Sequence, residues 1–266
     1  MPRTDGHSYI PAASVLLLRD RAPGAGIEVL MARRPATARS FAGYWVFPGG
    51  HVDPADWECG RAALSQAPDT DSAAHDDVAI WASAVAAWRE LHEETCGASA
   101  SALAPQRLRA AVAEMCYWSH WLAPAGAPHP YDTRFFALDA AALEHELRPE
   151  PEEIVELRWW APEHALAAWR TGELALAPPT VMNLADLKLA AGRHAQVATL
   201  LANERRREIV PIQPRAVQSG TVVHVLMPWD RDYRAGDLTA AAAPLPARYR
   251  ELPSRLTLPA LLTAPR

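Results

Sequence analysis

From Asp77 to Cys96 the apolar residues Ile80, Trp81, Ala84, Val85, Trp88 and Leu91 recur at spacings of three and four, the period of a helix buried on one side. Asp76 or Asp77 offers the N-cap, since a short carboxylate accepts from the first free backbone N–H groups. Such a stripe has to be covered by another layer, and the remainder of the chain supplies candidates. Residues 10–18 and 27–31 read as strands, and the intervening Pro23-Gly24-Ala25-Gly26 is turn chemistry, so the two are predicted to form a hairpin. Residues Tyr117–Leu122, Arg134–Leu138, Glu153–Trp160 and Val222–Met227 read as further strands. Helices are predicted over 107–115, Pro162–Thr171 and Thr180–Arg206, the last as one long element. Strands interleaved with helices predict an α/β (α+β) sandwich.

Two stretches stand apart. Residues 53–76 are polar and small, with Pro54, Pro68 and many Asp and Ser, and read as a loop or insertion holding a short helix around Arg61–Gln66. The organisation expected is one domain over 8–233, with an insertion at about 57–76, followed by a Pro-rich tail over 234–266. Trp118, Trp121, Trp159 and Trp160 are read as core or as the lining of an adenine or acyl pocket, with core the stronger reading. Arg205-Arg206-Arg207 is read as a surface complement to a helix dipole.

Composition narrows the function classes. Half of the 266 residues are hydrophobic, enough for a sizeable core. A formal net charge of -5 excludes a nucleic-acid partner held by bulk electrostatics. Cys59, Cys96 and Cys116 are odd in number and share no metal-type spacing, which points to a reducing cytoplasm rather than a disulfide framework. No apolar run is long enough to span a membrane, and no basic-then-apolar start marks a secretory signal. Lys188 is the only lysine; with abundant Ala and Pro this is the bias of a GC-rich genome, and a bacterial, cytoplasmic protein is expected.

The chemistry lies within the helix. Glu90, Glu93 and Glu94 stand at i, i+3 and i+4, so their carboxylates leave one face. Like charges this close destabilise a bare helix, whereas oxygen ligands grouped in this way suit a hard divalent cation. A solvated face is the ordinary reading of such a pattern, but Phe47-Pro48-Gly49-Gly50 upstream changes it, because glycine lets a ligand or a carbonyl approach closely. Together with Arg89-Glu90-Leu91-His92-Glu93-Glu94, this loop resembles the Nudix box. In that pattern a glutamate follows the glycine after five residues, and seven more precede the arginine. Here Asp56 takes the acidic place, 32 residues separate it from Arg89, an insertion of 25, and Cys96 stands at the closing glycine with Gly97 one place late. Loop closure depends only weakly on length, so the insertion is compatible with an intact site. Gly97 is expected to end the helix in a left-handed conformation.

The resemblance implies a Nudix-type α/β/α sandwich with a mixed sheet and additional C-terminal helices. It also implies a hydrolase that cuts a pyrophosphate bond with Mg²⁺ or Mn²⁺, held by Glu90, Glu93, Glu94 and a carbonyl near Gly50. Arg89 would orient the carboxylates. Glu93 and Glu153 are the candidates for handling the proton of the attacking water, with Glu150, Glu152 and Glu156 beside the latter. Before the box, Leu30-Met31-Ala32-Arg33-Arg34-Pro35, Arg39, Gly43 and Phe47-Pro48-Gly49-Gly50 keep the spacing of the coenzyme A diphosphatase branch. Arg34 and Arg39 would then contact substrate. Asp132 and Arg134, in Asp132-Thr133-Arg134-Phe135-Phe136, are read equally as a substrate contact or as a structural pair. That branch would release adenosine 3′,5′-bisphosphate and (acyl-)phosphopantetheine. Two alternatives stay open: another nucleotide substrate such as ADP-ribose or NADH, and a Nudix-like module that senses a nucleotide without cleaving it.

Overall fold

The computed structural model describes residues 9–22, 25–38, 40–65, 78–96, 105–143, 146–233 and 246–259. Its centre is strand β1 (Ile10–Asp20), whose Val15, Leu16, Leu17 and Leu18 have no exposed surface. A strand with layers on both faces has to be apolar without alternation. Leu16 and Leu18 face one cluster of core residues, Val15 and Leu17 the other. As expected, β1 forms an antiparallel hairpin with β2 (Ile27–Arg33), Leu18 opposite Val29. On its other side β1 runs parallel to β6 (Tyr131–Asp139), with Ala13 beside Arg134.

The sheet continues through β5 (Cys116–Leu122) and β8 (Pro211–Ile212) at one edge and β3 (Trp45–Val46) at the other. Strand β4 (Gly49–His51) adds to β1, and β7 (Glu156–Trp160) adds to β2. Among the described residues this makes an 8-stranded mixed sheet. Helices α1 (Pro54–Leu64), α2 (Val78–Cys96) and α3 (Pro105–Glu114) lie on one side. Helices α4 (Pro162–Arg170), α5 (Pro178–Arg193) and α6 (Val197–Glu204) cover the other. The α/β/α sandwich with a mixed sheet and extra C-terminal helices is the expected fold. A second sheet of β9 (Arg215–Ser219), β10 (Val222–Leu226) and β11 (Arg255–Pro259) packs at its side.

Several elements differ from the sequence reading, for physical reasons. The helix expected around Arg61–Gln66 starts already at Pro54. The Asp53 N–H donates to the Asp56 carboxylate at 2.9 Å, a capping arrangement, and Pro54 suits a first helical position. The long helix over Thr180–Arg206 is two helices, because His194 is extended. The broken end is closed from a distance: the Val197 N–H, at the head of α6, donates to Asp20 at 2.8 Å. The strand expected from Glu153 begins at Glu156. Its preceding segment docks on the end of α2, where Arg148 and Glu150 N–H groups donate to the carbonyls of Thr95 and Glu94 at 2.6 and 2.9 Å. Those carbonyls are orphans at any helix end. The proposed caps Asp76 and Asp77, and Gly97, lie outside the described residues.

Residues 246–259, within the Pro-rich stretch, join the domain: Tyr249, Leu252, Leu256 and Leu258 belong to the core. Trp118 and Trp121 are core as expected. Of the arginine run, Arg205 bonds the carbonyls of Ala113 and Glu114. Arg207 is no surface group: it pairs with Asp186 and Glu204 and lies over the Trp118 ring. Among the described residues no helix is long and apolar enough to cross a membrane.

Candidate active site

Helix α2 places its carboxylates against β4, and two glycines make the contact possible. The Gly49 N–H donates to Glu94 Oε2 at 3.1 Å. A Cβ on Gly49 would run into the backbone of Ala13 and Ser14, and a Cβ on Gly50 into the Glu90 carboxylate. The loop thus has no side chain where α2 approaches. The Ser14 hydroxyl donates to the Pro48 carbonyl at 2.9 Å and ties the turn to β1.

Arg89 organises the group. Its Nη1 donates to Glu90 Oε1 at 2.8 Å and Glu93 Oε2 at 2.9 Å. Its Nη2 and Nε reach both oxygens of Asp56, at 2.9 and 3.2 Å, and Nη2 also reaches the His51 carbonyl at 3.0 Å. Asp56 is buried, so this fork is a partly desolvated, bidentate pair. Burial works against the guanidinium charge, but Asp56 and Glu90 outweigh it and push its pKa up. The expected acid, separated from Gly50 by five residues, is therefore in contact with the expected arginine, despite the 32 residues between them. The sequence offered only the spacing of Asp56; its partnership with Arg89 depends on where α1 lies.

Burial dominates the carboxylates. Glu94 is 1 % exposed, and burial pushes its pKa up to about 8; the Gly49 N–H and Arg34 oppose this, while Glu90 and Glu153 add to it. Glu90 is raised as well, by burial first, with Arg89 opposing and Glu93 and Glu153 reinforcing. Glu153 itself is exposed, on the segment docked at the end of α2, near enough for its charge to act on both.

Of the expected substrate residues, Arg34 acts electrostatically on Glu94, and its Nε is buried without a hydrogen-bond partner. Arg134 stands in the same row of the sheet as Gly50, with Ala13 between them, roughly two strand spacings or ~10 Å away. It donates to Asp132 at 3.2 Å, and its Nε is also buried and unpartnered. Asp132 accepts in addition from His120 Nε2 at 2.6 Å, a partner the sequence reading missed because a bulge in β5 shifts its register. Burial tends to raise the Asp132 carboxyl, but His120 and Arg134 hold it below its usual value. Arg39 lies outside the described residues.

Among the described residues no three His, Cys, Asp or Glu side chains are grouped closely enough to hold an ion as they stand; Arg89 Nη1 occupies the place between Glu90 and Glu93. The donor set nevertheless fits a hard cation. It is made of carboxylate oxygens, two of them disfavoured as free anions by burial, beside a glycine loop without side chains. A cleft elsewhere on this side of the sheet is lined by Trp81, Ala84, Met115, Cys116 and Phe136. It brings no carboxylate, and burial pushes the Cys116 thiol up to about 11, so that group stays protonated.

No family model and no curated protein matches the chain. Solved structures do. A Nudix hydrolase from Alicyclobacillus acidocaldarius is 24 % identical and aligns over 76 % of this chain and 99 % of its own, with a TM-score of 0.56. An Ap4A hydrolase from C. elegans, in a binary complex, is 17 % identical over 69 % of this chain and 97 % of its own, at 0.38. The Nudix domain of Shewanella oneidensis NrtR, complexed with ADP ribose, is 12 % identical over 67 % and 85 %, at 0.39. The first of these shows that the chain has the Nudix-type fold.

Proposed function

We propose that this chain is a divalent-metal-dependent pyrophosphohydrolase of the Nudix type, acting on a nucleoside diphosphate derivative, with coenzyme A or acyl-coenzyme A the foremost substrate. The observation that carries the reading is the grouping of Glu90 and Glu93 on Arg89 and of Glu94 on the Gly49 N–H, on one helix face beside the Gly49–Gly50 loop. A non-catalytic sensor has no need to maintain three buried or half-buried carboxylates on one helix face against their mutual repulsion. Mg²⁺ or Mn²⁺ bound there would neutralise charge developing on the pyrophosphate oxygens.

The chain's own residues would do the rest. Glu90, Glu93 and Glu94 would hold the ion, together with a carbonyl near Gly50. Arg89, anchored by Asp56, would keep Glu90 and Glu93 in position and yield Nη1 contacts as the ion enters. Arg34 Nε is a free donor for a phosphate oxygen, and Arg134 Nε a second one farther along the sheet. Glu153 or Glu93 would take the proton of the attacking water as its oxygen bonds to phosphorus and the P–O bond of the anhydride breaks. The spacing of Arg34 and Arg39 ahead of Gly43 supports the coenzyme A class.

Turnover of coenzyme A, acyl-coenzyme A, ADP-ribose and NADH with Mg²⁺ or Mn²⁺ tests this, with adenosine 3′,5′-bisphosphate as the diagnostic product. Preference for ADP-ribose over every coenzyme A ester would overturn the substrate class but leave the chemistry. Glu93→Gln is expected to lower kcat by ~10²-fold or more; an unchanged kcat would remove Glu93 from the site.

A further inference from the structure

The loop between β2 and β3 carries a feature that the hydrolytic chemistry does not use. Phe41 is 47 % exposed and holds φ at 54°. Left-handed backbone is disfavoured for a bulky side chain, and a solvent-facing phenyl ring forgoes burial. Among the described residues Phe41 is the one non-glycine with positive φ. Strain of this sort gathers at ligand sites, where the surroundings hold it in place.

The surroundings do so here. Tyr44 N–H donates to the Phe41 carbonyl at 3.0 Å, Gly43 N–H to Pro35 at 3.3 Å and Arg34 N–H to Tyr44 at 2.9 Å. The Phe41 ring meets the Tyr44 ring edge to face, with centroids 5.6 Å apart. A closed, hydrogen-bonded loop thus props one aromatic ring toward solvent. Its location is equally specific. The loop leaves the sheet at Arg34, and the neighbouring Arg33 carbonyl accepts from Val155 of the segment bearing Glu153. Phe41, Arg34, Glu94 and Glu153 therefore lie at one end of the sheet.

We infer that Phe41 is a stacking platform for the nucleobase of the substrate, fixing its specificity for nucleotides over bare pyrophosphate. The proposal rests on the pyrophosphate-site reading above. A planar base offers a π-face to an exposed ring irrespective of its sequence of donors, while Arg34, whose N–H bonds the loop at Tyr44, acts electrostatically on Glu94. Phe41 would contribute to binding and not to the bond-breaking step.

Calorimetric binding of Mg-ADP and Mg-pyrophosphate to the whole protein tests it without requiring turnover. Wild-type protein is expected to prefer Mg-ADP. Phe41→Ala and Phe41→Gly should weaken Mg-ADP by roughly 5- to 150-fold, the range of one base–aromatic stack, and leave Mg-pyrophosphate unchanged. Phe41→Trp should keep the preference. The glycine variant accepts the left-handed backbone, so a loss in it does not come from backbone strain, and Phe41→Trp keeps the ring contact with Tyr44 as the control. Equal Mg-ADP affinity in Phe41→Gly and wild type, a parallel loss of Mg-pyrophosphate, or no wild-type preference would overturn the inference. Failure to hydrolyse any nucleotide would instead count against the hydrolase reading while the binding comparison still stands.

Discussion

The site depends on one contact that spans the insertion. Asp56 meets Arg89 through two hydrogen bonds, and Arg89 in turn holds Glu90 and Glu93. Asp56→Asn keeps an oxygen for the Asp53 N–H but removes the charge facing Arg89. It is expected to lower stability by about 1–3 kcal/mol, the cost of leaving a charged hydrogen-bond partner partly unpaired, and to lower kcat as Glu90 and Glu93 lose their alignment. Asp56→Glu, which restores the charge with one more methylene, should recover most of the activity. Thermal unfolding and kcat measured on both variants check this; an Asn variant with wild-type kcat would show that Arg89 needs no anchor. That Asp56 takes the acidic place of the box was visible from the spacing after Gly50. That Phe41 would stand exposed in a left-handed turn was not, since nothing in Ser40-Phe41-Ala42 marks one.

At the scale of elements, α1 owes its position to a glycine. A Cβ on Gly60 would lie 2.6 Å from the Ala82 nitrogen and 2.7 Å from its Cα, so the two helix backbones are in near contact there. Intrinsic propensity favours Gly60→Ala by about 1 kcal/mol. Overpacking at a helix crossing costs about 1–3 kcal/mol, and here the obstacle is backbone, which cannot swing aside. The clash wins: Gly60→Ala is expected to lower the urea midpoint, and Gly60→Val to lower it further and reduce kcat, because α1 carries Asp56. A stabilised Gly60→Ala would mean that α1 can lift off α2 without consequence. The periodicity that identified α2 was legible because its apolar stripe is an intrinsic property of the segment. The break between α5 and α6 was not, because the residue that caps α6 is Asp20, 177 positions away in the chain.

The whole molecule is closed by an ion network on the face opposite the site. Arg248, from the segment following residue 245, pairs with Asp186 on α5 and with Glu204 on α6 at 2.8 Å. Arg207 pairs with the same two acids. Burial tends to raise the Glu204 carboxyl, but Arg207 and Arg248 hold it below its usual value. A depressed carboxyl contributes stability that is present above its unfolded pKa and lost as pH falls through the folded one. Arg248→Ala should therefore cost about 3 kcal/mol near neutral pH, the scale of breaking a largely buried pair. The difference from wild type should shrink below about pH 4, where the acid protonates in the unfolded chain. Comparing Tm of both proteins at pH 7 and pH 3 decides this; a gap independent of pH would locate the role of Arg248 in packing on Trp118 rather than in charge.

The helix with its carboxylates, the glycine turn, the apolar central strand and the sandwich they build were determined by the sequence alone. Each follows from short-range rules: the period of a helix, the sparing of Cβ at a close approach, the unbroken apolarity of a strand covered on both faces. What only the tertiary structure decided are the partnerships. Asp56 with Arg89, Glu94 with the Gly49 N–H, Asp20 with α6, and residues 246–259 with the core all join groups distant in the chain. Their residue types are compatible with many partners, and burial with geometry selects one. The same holds for the carboxylates themselves: spacing placed Glu90 and Glu94 on one face, but only their burial against β4 raised their pKa values and made a cation the natural complement.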